Sequence, residues 1–404
     1  MNNIFIGRQP IYDQDLQVHA YELLYRDSSA NAATHTDDDM ATAQVVVNAF
    51  MDFGLDRIVG DHQAFINMPR SYLVGDLPLP FPPEQVVLEI LETTPIDARL
   101  IKAVRELAER GFTIALDDFI YHDKLKPLVE ISDIIKIDFM QLSPDEIRDH
   151  LVILKDHKVK LLAEKLETPG DFKLAADLGF DYFQGFFFCK PNVVESRTIT
   201  PNRLAILQLL AALQNPDAGI ADVEKIISTD VSLSYKVLRY LNSALYSLPR
   251  KIESIRHAIV YVGLPTIKNW FSLVALSKID DKPQELVATA LVRARMCELM
   301  APKEKSAEMF FTVGLLSVLD ALLDQPMPQI MRQLPLAVET KTALLNHTGP
   351  AGHALACVLA YERCEWEKLE AVSRSVDLTK LFVEAVDWAN AAVRQLASGE
   401  AANG

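Results

Sequence analysis

His19-Ala-Tyr-Glu-Leu-Leu-Tyr-Arg-Asp-Ser28 places an acid, Glu22, within a largely apolar run, and the arrangement recurs along the first half of the chain. Asn67 closes Ala-Phe-Ile-Asn, Glu89 closes Val-Val-Leu-Glu, and Asp117-Asp118 closes Thr-Ile-Ala-Leu-Asp-Asp. Lys136 lies in Ile-Ile-Lys-Ile-Asp, Glu164 closes Lys-Leu-Leu-Ala-Glu, and Gln184 sits in Tyr-Phe-Gln-Gly. One acidic or amide group at the end of each buried strand is how a β/α barrel builds a site. Strands in register deliver their C-terminal residues to a common mouth. Glu22, Glu89, Asp117, Asp118, Glu164 and the Asn67 oxygen would repel one another there unless cations were bound. Hard oxygen ligands of this kind suit Mg²⁺ or Mn²⁺.

The surrounding pattern agrees. Up to about residue 192, short apolar runs alternate with helical periodicity, which reads as repeated β/α units. Between Asp97 and Gly111, Ile101, Val104, Leu107 and Ala108 recur at helical spacing, and Phe112-Thr-Ile-Ala-Leu116 is the next strand. Leu77-Pro-Leu-Pro-Phe-Pro-Pro83 lacks the amide donors of a helix or inner strand and must be a loop. From Pro201 onward the periodicity is helical almost throughout. Leu204, Leu207, Leu210, Ala211 and Leu213 form one stripe, and Val237, Leu238, Leu241, Leu245 and Tyr246 another. The expected organisation is a TIM-like β/α barrel over 1–195 and an all-α domain over 200–395.

A chain of 404 residues, 50% hydrophobic, can bury two substantial cores. It has no apolar run approaching the roughly 18 residues of a membrane span. Its N-terminus also lacks the pattern of a signal peptide. The four cysteines show neither metal-ligand spacing nor disulfide density, so a cytoplasmic protein is expected. A net charge of −15 argues against a nucleic-acid polymer as partner. It leaves room for a small phosphodiester, since bound cations reverse the sign locally.

These residues, in this order, resemble the EAL family, barrel domains that hydrolyse the bacterial second messenger cyclic di-GMP. The signature Glu-Ala-Leu-x-Arg reads Glu22-Leu23-Leu24-Tyr25-Arg26, and Arg8-Gln9-Pro10-Ile11 matches the family's opening strand. The resemblance spans roughly residues 3 to 195. Further on, Ile226 to Tyr246 and Ser254 to Gly263 resemble the core of HDOD domains, helical relatives of the HD phosphohydrolases. Where the catalytic relatives carry a His-Asp metal pair, this chain has Ser317-Val318, side chains that cannot replace those ligands. Together the halves resemble bacterial EAL–HDOD signalling proteins.

The resemblance implies Glu22, Asn67, Glu89 and Asp117 around one metal, with Asp118 and Glu164 completing a second and Asp117 bridging. Lys136 would orient the attacking water or accept its proton, and Gln184 would hold that network. Gln9, Leu24 and Arg26 would contact the nucleotide, and Glu92 would brace the loop after Asp118. The implied activity is metal-dependent hydrolysis of cyclic di-GMP to pGpG. The implied role of the helical half is to bind a protein partner or a second copy of the chain. On their own, Asn67 could be a turn residue before Met68-Pro69 and Asp117-Asp118 a helix cap, but the ligand reading is the stronger for Asn67, and two adjacent acids at a barrel mouth favour metal binding. Two stretches depart from the family. Asp117-Asp-Phe-Ile-Tyr-His-Asp-Lys-Leu125 lacks the usual glycines, and Lys165 stands where glycine is expected after Glu164. These departures favour the alternative of a weak or inactive barrel that senses cyclic di-GMP or regulates a partner. His122 is expected to be a half-exposed loop histidine rather than a ligand. The run Trp270 to Leu276 could support a partner groove, although core packing is the expectation for any single residue in it.

Overall fold

In the computed structural model the described residues are 4–27, 54–187, 201–228, 254–277, 282–302, 304–373 and 375–397, with isolated positions between them. They form two compact units, Met1–Phe187 with Glu370–Thr379, and Phe188–Leu369 with Lys380–Gly404. The first is a closed barrel of eight strands in sequence order. These are β1 (Ile4–Tyr12), β2 (Val18–Asp27), β3 (Gln63–Asn67), β4 (Val86–Ile90), β5 (Thr113–Leu116), β6 (Ile134–Asp138), β7 (Lys160–Leu166) and β8 (Tyr182–Gly185).

Pairs from β2 round to β8 are parallel, but β1 runs antiparallel to both its neighbours. The cause is local. Only Asp13 to Gln17 connects β1 to β2, whereas a parallel crossover needs about a dozen residues. Asp13 fastens the hairpin, its carboxylate accepting from the Asp15 and Gln17 amides at 3.0 and 2.9 Å.

One apolar layer fills the barrel, with Ile11, Ala20, Phe65, Val87, Ala115, Ile134, Leu162 and Tyr182 each coming from a different strand. Side chains on a strand alternate between faces, so the residue two positions on points inward again. Two positions beyond this layer stand Glu22, Asn67, Glu89, Asp117, Lys136, Glu164 and Gln184. On the reversed strand β1 the equivalent residue lies two positions before Ile11 and is Gln9, paired in register with Glu22. The polar ring is therefore the next storey of the same barrel.

The expected helix after Asp97 is Ala98–Glu109, with the Asp97 carboxylate accepting from the Leu100 amide at 2.8 Å and Gly111 past its end at φ 93°. The proline-rich stretch is a loop as expected.

Among the described residues the second unit contains helices joined by turns and no strand. Leu207, Leu210 and Leu213 of the first stripe are buried, but Leu204 is exposed. In the second stripe Val237 and Leu241 are buried, while Leu245 and Tyr246 lie outside the described residues. The run Trp270 to Leu276 is buried throughout, which is the core-packing outcome rather than the groove it could have supported. Those side chains are core. Gly314, on the helix Glu304–Leu316, lets that helix touch Gln284–Leu299, because a Cβ there would lie 2.5 Å from Ala294 Cα and Arg293 O. Gly314→Ala should destabilise the full chain by about 1–3 kcal/mol in urea denaturation, the usual cost of overpacking. A midpoint unchanged from wild type would contradict this contact.

Candidate metal and phosphodiester site

Lys136 is 0% exposed, and its ammonium is enclosed by carboxylates. Glu164 Oε1 lies at 2.7 Å, Asp117 Oδ1 at 2.8 Å and Glu22 Oε1 at 3.3 Å, and Glu89 Oε1 is also in contact. One ammonium cannot neutralise four carboxylates, and burial of the excess charge is costly. The carboxyls respond. Burial pushes Glu164 up to about 8 against the pull of Lys136, and raises Glu89 well above the usual carboxylate range. Burial works to neutralise Lys136 as well, but the acids around it, Glu164 foremost, hold it well above the ordinary lysine value.

The amides complete the ring. Gln184 Nε2 donates to Glu22 Oε2 and, at 3.2 Å, to Gln9 Oε1. Asn67 Nδ2 donates to Glu22 Oε1 at 3.4 Å. Among the described residues the buried Asn67 Oδ1 and Glu89 Oε2 have no hydrogen-bond partner. Ligand oxygens of Asp117, Asp118 and Glu164 all lie within 4.8 Å of one another. Buried oxygens without donors, next to a compact carboxylate triplet, fit divalent cations with oxygen preference.

The mouth is shaped by features that the residue-by-residue reading missed or misplaced. Asp138, one inward position beyond Lys136, accepts from the Met140 and Gln141 amides at 2.6 and 3.1 Å. Its alternation with Lys136 in Ile-Lys-Ile-Asp was the available signal. Glu92 is exposed and makes no hydrogen bond among the described residues, so it does not brace the loop after Asp118. His150 holds that loop instead. Its Nε2 accepts from the Tyr121 amide at 3.2 Å, and its Nδ1 lies 2.7 Å from Glu146 O. This geometry sets the tautomer with the proton on Nδ1. His122 is exposed, as expected of a loop histidine. Leu24 is half-buried on β2, and the Arg26 side chain lies outside the described residues.

In the second unit, Arg293 occupies the neighbourhood of Ser317. It pairs bidentately with Glu362, Nε and Nη2 donating at 2.7 and 2.6 Å, and Nη1 reaches Ser317 Oγ at 3.3 Å. Val318 is buried. Among the described residues, the barrel alone holds a metal-like cluster of three or more His, Cys, Asp or Glu side chains.

Comparison with known families identifies both halves of the chain. A model of the EAL domain matches residues 73–191, and one of the HDOD domain matches residues 201–348. The EAL match begins after Arg26, so the opening strands lie outside the matched span. A Vibrio cholerae protein named cyclic di-GMP phosphodiesterase CdgJ is 35% identical over 402 residues, covering 96% of this chain and 93% of the relative. The uncharacterised Bacillus subtilis YuxH is 34% identical over 399 residues, covering 95% of this chain and 98% of the relative. The B. subtilis EAL protein YkuI, solved with cyclic di-GMP and calcium, shares 19% identity at a TM-score of 0.40, over 64% of this chain and 72% of that one. The chain belongs to the family of two-domain EAL–HDOD proteins. No helix among the described residues is long and apolar enough to cross a membrane.

Proposed function

We propose that the barrel is a metal-dependent phosphodiesterase that opens cyclic di-GMP to the linear dinucleotide pGpG. The observation that carries this reading is the single storey of Glu22, Asn67, Glu89, Asp117, Lys136, Glu164 and Gln184, with carboxylate charge in excess of what Lys136 neutralises. The name of the V. cholerae relative supports the substrate. Glu22, Asn67, Glu89 and Asp117 would hold one Mg²⁺ or Mn²⁺, and Asp117, Asp118 and Glu164 a second. Such ions supply an activated water and charge neutralisation at the phosphoryl oxygens. Lys136, in contact with Glu22, Glu89, Asp117 and Glu164, would orient the water or accept its proton. Gln184 fixes Glu22 through the bond to its Oε2 and ties it to Gln9. Gln9, Leu24 and Arg26 are assigned to the nucleotide.

The test is to incubate the purified chain with cyclic di-GMP and Mg²⁺ or Mn²⁺, then resolve the nucleotides chromatographically. Appearance of pGpG supports the reading. Intact substrate with either metal across several pH values ends it. A second reading, a barrel that binds cyclic di-GMP without efficient turnover, is favoured by the contact of Lys165 with Asp118 and predicts tight binding with no pGpG.

Arg26→Ala should weaken cyclic di-GMP binding at least about tenfold and leave Mn²⁺ affinity of the nucleotide-free protein unchanged. A guanidinium binds phosphate through paired charged hydrogen bonds but does not ligate a cation. Equal loss of both affinities in calorimetric titrations would contradict the assignment.

The helical half is assigned a non-catalytic role, binding a protein partner or a second copy of the chain in the cytoplasm. Ser317 and Val318 stand where the catalytic relatives carry a metal-binding pair, and Ser317 is held by Arg293, which also pairs with Glu362.

A further inference from the structure

Lys165 is in the left-handed region at φ 57°, a conformation that ordinarily calls for glycine. Beside it the pairing of β7 with β8 slips. Ala163 faces Phe183 and Leu166 faces Gly185, so three steps on β7 meet two on β8. This is a bulge of one extra residue on β7. It brings the backbones so close that a Cβ on Gly185 would lie 2.1 Å from Leu166 O. In a regular strand the residue after the inward-facing Glu164 would point away from the barrel interior. The bulge turns Lys165 back to the mouth instead. Its Nζ reaches Asp138 Oδ2 at 2.5 Å and Asp118 Oδ1 at 3.2 Å.

Asp118 is also one of the triplet, with Asp117 and Glu164, whose oxygens fit a divalent ion. An ammonium on that carboxylate and an incoming dication compete for the same charge. Among the described residues no such exposed cation reaches Glu22, Asn67, Glu89 or Asp117. The fully buried Lys136 touches ligands of both positions, Glu22, Glu89 and Asp117 of the one and Asp117 and Glu164 of the other, so it does not distinguish them. Lys165 is different, because its side chain is 49% exposed and has water to move into. Asp138, further from the triplet's ligand set, offers the ammonium a second anchor after it leaves Asp118.

We propose that Lys165 is a tethered monovalent cation that makes the two metal positions unequal. The position at Glu22, Asn67, Glu89 and Asp117 fills first, and the one at Asp117, Asp118 and Glu164 fills only when Lys165 releases Asp118. Lys165 is thus a positioning residue that sets how much divalent metal is needed to complete the site. This rests on the two-metal reading above, and the experiment separates the two.

The test is Mn²⁺ titration of the full-length, nucleotide-free chain at fixed pH, read by calorimetry and by the EPR signal of the free ion. Wild type should bind one ion tightly and a second more weakly. Lys165→Gly relieves the backbone, and Lys165→Met removes only the charge. Both should tighten the second ion by about 10–100-fold and leave the first unchanged, while Lys165→Arg should keep the second ion weak. A purely structural role for Lys165 would not separate Met from Arg in this way. An unchanged second affinity in Gly and Met, or two equal ions in wild type, overturns the proposal and leaves the two-metal reading standing. Absence of Mn²⁺ binding in every protein overturns the two-metal reading itself.

Discussion

Lys136→Met should lower the unfolding midpoint of the metal-free protein by roughly 6–20 °C. Breaking a buried ion pair by removing one partner costs about 3–5 kcal/mol, and a domain of this size loses about 2–4 °C per kcal/mol. The reason is specific to this storey. Lys136 is the only cation that touches Glu22, Glu89, Asp117 and Glu164 among the described residues, and it is buried with them. A methionine of similar length fills the space but leaves four buried carboxyl groups facing one another with no cation between them. Divalent metal should then rescue the variant, since a ligand at 100 times its dissociation constant adds about 2.7 kcal/mol. Calorimetric scans with chelator and with Mn²⁺ check both halves. A variant as stable as wild type in chelator would show that the carboxylates are neutral without Lys136.

Glu22→Gln should leave the barrel folded and lower turnover of cyclic di-GMP by about 10³-fold. The amide keeps the shape of the acid and an oxygen for the Gln184 donor, while Lys136 retains three other carboxylates. What is lost is negative charge toward a bound dication. Metal stabilisation of phosphoryl charge is worth several kcal/mol, and each 1.36 kcal/mol is about tenfold in rate. Single-turnover kinetics at saturating Mn²⁺ separate weaker metal binding from slower chemistry. Turnover within tenfold of wild type would remove Glu22 from the metal's ligand set.

The sequence alone determined the members of the storey, because they depend on a local rule. A strand alternates its faces, so an acid two positions after a buried apolar residue must share its face. That rule reaches Glu22, Asn67, Glu89, Asp117, Lys136, Glu164 and Gln184, and reading Ile-Lys-Ile-Asp one step further would have reached Asp138. The reversal of β1 was also within reach, since five residues cannot make a crossover.

The tertiary structure decided what depends on residues far apart in the chain. Glu92 carries the right charge at the expected position, yet His150, 29 residues from Tyr121, holds the loop. Trp270 to Leu276 is apolar enough for either a groove or a core, and only packing assigns it to the core. Arg293 meets Glu362 across 69 residues, and neither announces the other. Lys165 shows the limit most plainly. Sequence marks it as a departure from glycine, but its direction comes from a bulge set by the close approach of Leu166 to Gly185. Its partners, Asp138 and Asp118, lie 27 and 47 residues away. Alternation and periodicity are written along the chain, whereas charge pairing between strands exists only once the barrel has closed.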